Sequence, residues 1–288
     1  VLHLAGIQPA EWDGLFQQSL RTNKRLDQAN QTLNDALREA WTQGSDLTFI
    51  LKHRGQNIDL MIGDPAVSGT YVQGSRRSSG FTHFFGMKTI LHARQSESPA
   101  QSYLWLFDEP GVYLHPEGQH DLLRVLEALS LSNQLVYTTH SIFLINKNFP
   151  SRHRLIRKSA QGTVIDGKPF IGRWQSAIDA LGLALPGTIL FASRVLLVEG
   201  DSDPILLGAD LASLVEAGEL DIDMNTLSIM STGDVENADA LVRILVEGHT
   251  PPKLCFLFDG DEGGTARQKA LQRLIDSRQI AVIKLAKD

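Results

Sequence analysis

Two apolar stretches of the sequence end in carboxylates whose type and spacing are suited to binding metal ions. The stretch RVLLVEGDSD ends in Glu199 and Asp203, and LCFLFDGDEGG ends in Asp259 and Asp261 with Glu262 adjacent. A like-charged pair roughly 4 Å apart costs about 4 kcal/mol at an effective dielectric of about 20. Hard divalent cations relieve that repulsion, and a set of oxygen ligands favours Mg²⁺ or Mn²⁺. The pattern predicts a divalent metal site, provided that the two stretches meet.

The two stretches meet if they are neighbouring strands of a parallel sheet, because the carboxyl ends of such strands lie roughly 5 Å apart. Apolar runs predict strands at Arg194–Val198, Thr226–Met230, Lys253–Phe258 and Ile280–Leu285. Helical patterns fall between them, at about 203–217, 235–247 and 264–278. This alternation predicts an α/β domain whose parallel sheet is flanked by helices.

A second group of polar residues follows strands in the first half of the chain. Asp108 and Glu109 come directly after a predicted strand at 102–107, and His140 ends the next predicted strand. One carboxylate at such a position can hold Mg²⁺ while the other orients water toward a γ-phosphate, which a nearby histidine can also reach. These residues are candidates for nucleotide chemistry.

Further upstream, Ser78, Ser79 and Gly80 precede a helix predicted over about 81–93, and exposed amides at a helix start bind anions. In this order, RSSG, FDEP, PGVYLHP and TTHS resemble the ABC-type ATPase core of the RecF/SMC-like group. They would be its signature sequence, its Walker B motif, the loop after that motif and its switch histidine. The resemblance implies that this part of the chain binds ATP.

The phosphate-binding loop of that ATPase group is missing. No G-x-x-x-x-G-K-[ST] occurs, and FGMKT around Lys88 lacks the first glycine at the required distance. Without that loop, the β- and γ-phosphates have no anchor. The chain is therefore expected to be a fragment without its Walker A lobe, or else its ATPase half is inactive. Hydrolysis of ATP is expected only if that lobe is present.

The pair VEGxxD and FDGDEGG resembles the Toprim domain, with the turn MSTGD between the two motifs. An ABC-type ATPase followed by Toprim resembles the OLD (overcoming lysogenization defect) family of nucleases, over residues from about 76 to 288. The turn departs from that pattern, because Asp234 stands where OLD proteins often have a second glycine. This substitution adds a negative charge or an extra ligand.

The OLD resemblance implies two-metal cleavage of DNA phosphodiesters, with Glu199 as a candidate base. It also implies a lysine downstream that neutralises transition-state charge. Lys284 falls within a strand pattern and Lys287 just past its end, so Lys287 is the preferred residue. The resemblance gives the metal ligands as Glu199, Asp203, Asp259 and Asp261, with Glu262 as a ligand or a partner of metal-bound water.

The same resemblance implies partners and roles. DNA would be the substrate, two copies would pair as a homodimer, and a helicase or other defence protein could join them in phage defence or DNA repair. An amphipathic pattern at 15–40 is a candidate for helping the copies to pair.

Composition limits the class of protein. The chain has 288 residues, a net charge of −6 and one cysteine, Cys255, in an apolar run. With this net charge the chain as a whole does not attract nucleic acid electrostatically. A single cysteine excludes an internal disulfide and a cysteine zinc site. No run approaches the roughly 20 apolar residues of a membrane span. These features predict a cytoplasmic protein that does not bind membranes.

The sequence predicts three parts within an α/β fold class. Residues 1–160 are expected to form the ATPase portion, lacking the Walker A lobe, with a helical arm at about 10–45. Residues 161–192, rich in glycine and proline, are expected to be a linker, and 193–288 the Toprim nuclease domain.

Two other functions use the same carboxylates. A Toprim protein of topoisomerase type requires a nucleophilic tyrosine, but Tyr71, Tyr103, Tyr113 and Tyr137 all lie on the ATPase side. A primase requires nucleotide-binding elements that the sequence does not contain. A non-catalytic ATPase-like DNA clamp or scaffold, with Mg²⁺ used only for folding, is the third interpretation.

Overall fold

The computed structural model describes residues 1–16, 19–43, 46–54, 57–64, 71–74, 77–97, 101–160, 162–167, 192–233, 235–246, 251–278 and 280–285. The chain divides into two compact units, Val1–Leu144 and Ile145–Asp288. Asp234, Lys287 and most of the predicted linker lie outside the described residues.

The first unit contains an antiparallel sheet and a parallel strand pair, both accompanied by helices. The strands are β1 (Thr48–Arg54), β2 (Asn57–Gly63), β3 (Tyr71–Gln73), β4 (Leu104–Asp108) and β5 (Gln134–Thr138). The sheet has the order β1-β2-β3, and β4 pairs in parallel with β5. The helices are α1 (Trp12–Leu15), α2 (Leu20–Ala40), α3 (Ser79–Glu97) and α4 (Pro116–Ser130).

Helix α2 corresponds to the amphipathic pattern at 15–40, but its apolar face is buried within its own unit. The Ser19 hydroxyl caps the helix by accepting the Thr22 N–H at 3.1 Å. Leu26, Leu33 and Leu37 repeat at helical spacing and are each at most 4% exposed. This face is therefore part of the core of the first unit and is not free to pair two copies.

Two asparagines on α2 bind the backbone of strand β1. The side chain of Asn34 accepts the Phe49 N–H at 2.8 Å and donates to the Phe49 carbonyl at 2.7 Å. Asn30 does the same for Leu51, at 2.6 and 3.3 Å. Side-chain amides therefore take the place of a neighbouring strand at this edge, and an unpaired edge is a site for aggregation.

The second unit contains a hairpin and a four-stranded parallel sheet. The hairpin is β6 (Leu155–Ser159) with β7 (Gly162–Asp166). The strands of the sheet are β8 (Arg194–Val198), β9 (Leu227–Ser231), β10 (Lys253–Phe258) and β11 (Ala281–Lys284). They have the order β11-β10-β8-β9, and all the pairs are parallel. The accompanying helices are α5 (Asp203–Glu216), α6 (Val235–Val246) and α7 (Glu262–Arg278).

The core of the second unit lies between the central strands and the helices. Val195 and Leu197 of β8 and Phe256 and Phe258 of β10 are each at most 1% exposed. Side chains of α6 and α7 pack on them, among them Ala238, Val242, Leu271 and Ile275. Cys255, in the apolar run of β10, is half-buried, and burial raises its pKa. The α/β class with a parallel sheet flanked by helices is as predicted.

The two compact units of the structure divide between Leu144 and Ile145. The extent of the ATPase portion to residue 160 and the linker at 161–192 stay predictions. Asn146, only 4% exposed, accepts a hydrogen bond from the side chain of Asn225, and the Asn225 side chain accepts the Lys147 N–H at 2.8 Å. These bonds fix the chain to the loop before β9. In addition, β7 lies within the predicted linker.

Among the helices that the structure describes, none is both long and apolar enough to cross a bilayer.

Replacing Asn34 by alanine should destabilise the first unit. The change leaves the Phe49 N–H and carbonyl without their partner, which costs about 1–3 kcal/mol in the free energy of unfolding. Urea unfolding measures the effect, with Gln31→Ala on the exposed face of α2 as the matched control. Equal midpoints for the two variants would show that the amide adds nothing to the edge of β1.

Candidate metal and nucleotide sites

The carboxyl ends of β8 and β10 lie side by side, as the predicted metal site requires. The parallel register pairs Leu197 with Phe256, so Glu199 and Asp259 follow the two strands at nearly the same height. The Glu199 carboxylate accepts the Asp259 N–H at 3.1 Å. Two residues that are 60 positions apart in the sequence are thus in direct contact.

Arg267 of α7 is the cation beside Glu199. Its guanidinium lies 3.2 Å from the second Glu199 oxygen and also donates to the Gly233 carbonyl. Only 16% of the Glu199 side chain and 24% of the Arg267 side chain are exposed. Sequence analysis missed Arg267, because nothing in the helical stretch ARQKALQR distinguishes it from the neighbouring cations.

The other acids of the predicted site bind nearby hydrogen-bond donors. Asp203, the first residue of α5, accepts the Gly200 N–H at 2.8 Å. Asp261 accepts the Gly264 N–H at 2.7 Å and so caps the start of α7. Asp201 accepts the Ser231 hydroxyl. Glu262 is exposed in the first turn of α7.

The chemistry of these donors fits a hard divalent cation, because carboxylate oxygens from two adjacent strand ends are the ligands that Mg²⁺ and Mn²⁺ prefer. Across the described residues, however, no three His, Cys, Asp or Glu side chains are grouped as metal ligands. Glu199 and Asp203 use their oxygens for Arg267 and for the backbone. Binding a cation therefore requires these side chains to exchange their present partners.

The first unit brings Glu109 and His140 together at the ends of β4 and β5. The Glu109 carboxylate accepts the His140 N–H at 3.3 Å, and its other oxygen lies 3.7 Å from the imidazole Nε2. Glu109 has a φ of 47°, a left-handed conformation rare outside glycine. The His140 side chain is 94% exposed. Its imidazole is open to a ligand.

Thr138 connects the two acids and was not singled out from the sequence. Its hydroxyl donates to the Asp108 carboxylate at 2.5 Å, and it accepts the Glu109 N–H at 3.2 Å. The strand pairing explains the contact, because Asp108 and Thr138 are register partners in β4 and β5. In the sequence, a threonine two residues before His140 does not by itself indicate this role.

The serine motif lies at the start of α3. Ser79 and Gly80 belong to the first turn of the helix, and the Ser78 hydroxyl accepts the Phe81 N–H at 3.3 Å. A Cβ on Gly80 would be 2.6 Å from the Tyr113 carbonyl oxygen, so the helix start packs against the loop after Asp108 and Glu109. Lys88 lies within α3, where burial lowers its pKa, and is not part of a phosphate loop.

Comparison with known proteins matches both units. The family model "AAA ATPase domain" matches residues 11–145. The model "Overcoming lysogenization defect protein-like, TOPRIM domain" matches residues 190–261. The chain is thus an ATPase domain followed by a Toprim domain. This order, an ATPase domain before an OLD-like Toprim domain, is the order that the motifs predicted.

Individual relatives cover parts of the chain. An OLD nuclease of Thermus scotoductus is 26% identical over 149 residues, which are 48% of this chain and 28% of that protein. An uncharacterized protein of Methanocaldococcus jannaschii is 35% identical over 111 residues, 38% of this chain and 29% of that protein. The chain thus spans under a third of these relatives. A solved Smc head bound to the C-winged helix domain of ScpA is 12% identical, with 56% and 53% coverage of the two chains and a TM-score of 0.36.

Gly264 should not tolerate a side chain. A Cβ there would lie 2.3 Å from the Asp259 carbonyl oxygen, and such a clash with backbone costs about 1–3 kcal/mol. We expect Gly264→Ala to lower the melting temperature of the second unit, measured by scanning calorimetry. The matched control is Gly263→Ala, whose Cβ would be 3.3 Å from the Asp261 carboxylate. Equal melting temperatures for the two variants would contradict the close approach of α7 to the end of β10.

Proposed function

We propose that the second unit is a Mg²⁺- or Mn²⁺-dependent DNA endonuclease whose activity is regulated by, or coupled to, the ATPase unit. The observation that supports this proposal is the contact between Glu199 and Asp259 at the ends of two adjacent parallel strands. Carboxylates at neighbouring strand ends can share divalent ions, and phosphodiester hydrolysis is the chemistry that such paired ions support.

In this proposal the metal ligands are Glu199, Asp203, Asp259 and Asp261, with Glu262 at the edge of the site. These carboxylates would hold two divalent ions, which would supply charge neutralisation at the scissile phosphate and lower the pKa of the attacking water. Glu199 is the candidate base, and its carboxylate lies at the buried end of the site, where only 16% of its side chain is exposed. Lys287 stays the predicted catalytic lysine and lies outside the described residues.

In the first unit we infer a nucleotide site at Asp108, Glu109 and His140, with the serine motif (Ser78, Ser79 and Gly80) as a signature sequence. The 3.7 Å distance between the His140 Nε2 and the Glu109 carboxylate supports it, because a switch histidine must sense the group that positions water. The described residues of the first unit do not include a phosphate-binding loop, so ATP hydrolysis requires that this loop be supplied from elsewhere. A homodimer and a role in phage defence or repair, in the cytoplasm, complete the proposal.

Cleavage should depend on Asp259. Supercoiled plasmid incubated with the protein and Mn²⁺ is expected to be nicked, and Asp259→Asn should slow nicking on the order of a hundredfold, the loss typical of removing one electrostatic stabiliser. Asp276→Asn, at an exposed position of α7, removes the same charge elsewhere and should leave the rate unchanged. An intact plasmid would favour the scaffold, and relaxed closed circles would favour a topoisomerase.

Removing Arg267 should strengthen the binding of divalent ions. Its guanidinium occupies a Glu199 oxygen, and a unit charge within a few Å is worth several kcal/mol at an effective dielectric of about 20. We expect Arg267→Gln to tighten Mn²⁺ binding at least about tenfold, as followed by the electron paramagnetic resonance signal of the free ion. Arg273→Gln is the control, because Arg273 is an exposed cation of the same helix. Unchanged or weaker binding in Arg267→Gln would mean that the arginine does not compete with the ion.

A further inference from the structure

A pocket adjoins two acids of the second unit, Asp261 and Glu262. It is an open cavity of about 530 Å³ between the start of α7 and the end of β11. Two lysines, Lys269 and Lys284, also line it, together with Thr265. The lining residues that come from α7 repeat at helical spacing and are Glu262, Thr265, Ala266 and Lys269. One face of α7 therefore forms a wall of the pocket.

The ammonium group of Lys284 is held in position by a hydroxyl group. Lys284 is the last residue of the edge strand β11, and its Nζ donates to Thr265 Oγ1 at 2.6 Å. That hydroxyl donates in turn to the Asp261 carbonyl oxygen at 2.9 Å. The lysine is therefore aimed at the start of α7, and its partner there, the Thr265 hydroxyl, carries no charge.

The lining of the pocket carries both signs of charge. The carboxylates of Asp261 and Glu262 repel an anion unless a cation covers them, while Lys269 and Lys284 attract one. A ligand that fits this lining carries a phosphate for the lysines and is continuous with a group that reaches the metal-binding acids. The backbone of a nucleic acid has this pattern, because its phosphates repeat at a fixed short interval.

We infer that Lys269 and Lys284 bind a backbone phosphate of the DNA, next to the phosphate held at the acids. This inference rests on the proposed nuclease function and deepens it. Lysine is suited to this task as a compact charge that contacts phosphate oxygens without a fixed geometry. A contact of this kind positions the strand and reads no bases, so it fixes the register of the backbone over Glu199 and Asp259 without selecting a sequence.

The number of phosphate contacts can be measured separately from cleavage. The affinity of the whole chain for a short fluorescein-labelled duplex is measured by anisotropy in Ca²⁺, between about 50 and 200 mM KCl. Lys269→Gln and Lys284→Gln should each reduce the slope of log K against log salt by about 0.9, the value for one phosphate contact. Lys253→Gln is the matched control, because Lys253 is exposed at the opposite end of β10. Equal melting temperatures of the three variants verify that they are folded.

Two results would overturn this inference. One is undetectable DNA binding by the unmodified chain. The other is a salt slope for the two pocket variants equal to that of Lys253→Gln, whether all three slopes are unchanged or all three are reduced. An inorganic pyrophosphate arm tests the other source of phosphate: if the pocket variants lose pyrophosphate binding but keep their DNA slope, the ligand is a free phosphate compound. Reduced slopes without plasmid nicking would keep the phosphate site and refute the nuclease, and nicking with unchanged slopes would do the reverse.

Discussion

The parallel pairing of β8 with β10 is the constraint on which the candidate nuclease site depends. The register aligns Leu197 with Phe256, and this alignment alone brings Glu199 to the Asp259 N–H. The pairing is fixed by burial, because Val195, Leu197, Phe256 and Phe258 are almost fully enclosed. A shift by one residue would turn these side chains out of the core, so the apolar core sets the position of the acids.

The two units use the same arrangement at the ends of parallel strands. In the first, Asp108 at the end of β4 accepts the Thr138 hydroxyl from the end of β5. In the second, Glu199 accepts a backbone N–H from the end of the adjacent strand. In each case the neighbouring strand fixes where the carboxylate lies at the edge of the sheet. At Glu199 the carboxylate is also paired with Arg267, which a metal ion has to displace.

Hydrogen bonds and one arginine compensate the acids of the second unit. Asp203 and Asp261 each accept a backbone N–H at the start of a helix, where the helix dipole favours negative charge. Glu199 pairs with Arg267. These contacts compensate the charge of the carboxylates that gather at one edge of the sheet, and they define what a divalent ion has to displace.

The sequence by itself determined the elements and the order of motifs. Apolar runs of strand length and helical repeats located β8, β10 and the helices between them to within a few residues, because burial imposes those periods on the chain. The motifs at Asp108, Glu109, Glu199 and Asp259 were visible for the same reason, since a polar residue at the end of an apolar run is conspicuous.

Only the tertiary structure decided which partners those residues have. Thr138, Arg267 and Thr265 contact the candidate residues from 19 to 68 positions away in the sequence, where local pattern carries no information. The boundary at Leu144 likewise depends on hydrogen bonds between Asn146 and Asn225. Strands and helices follow from neighbouring residues, whereas contacts across a sheet edge follow from the packing of the whole unit.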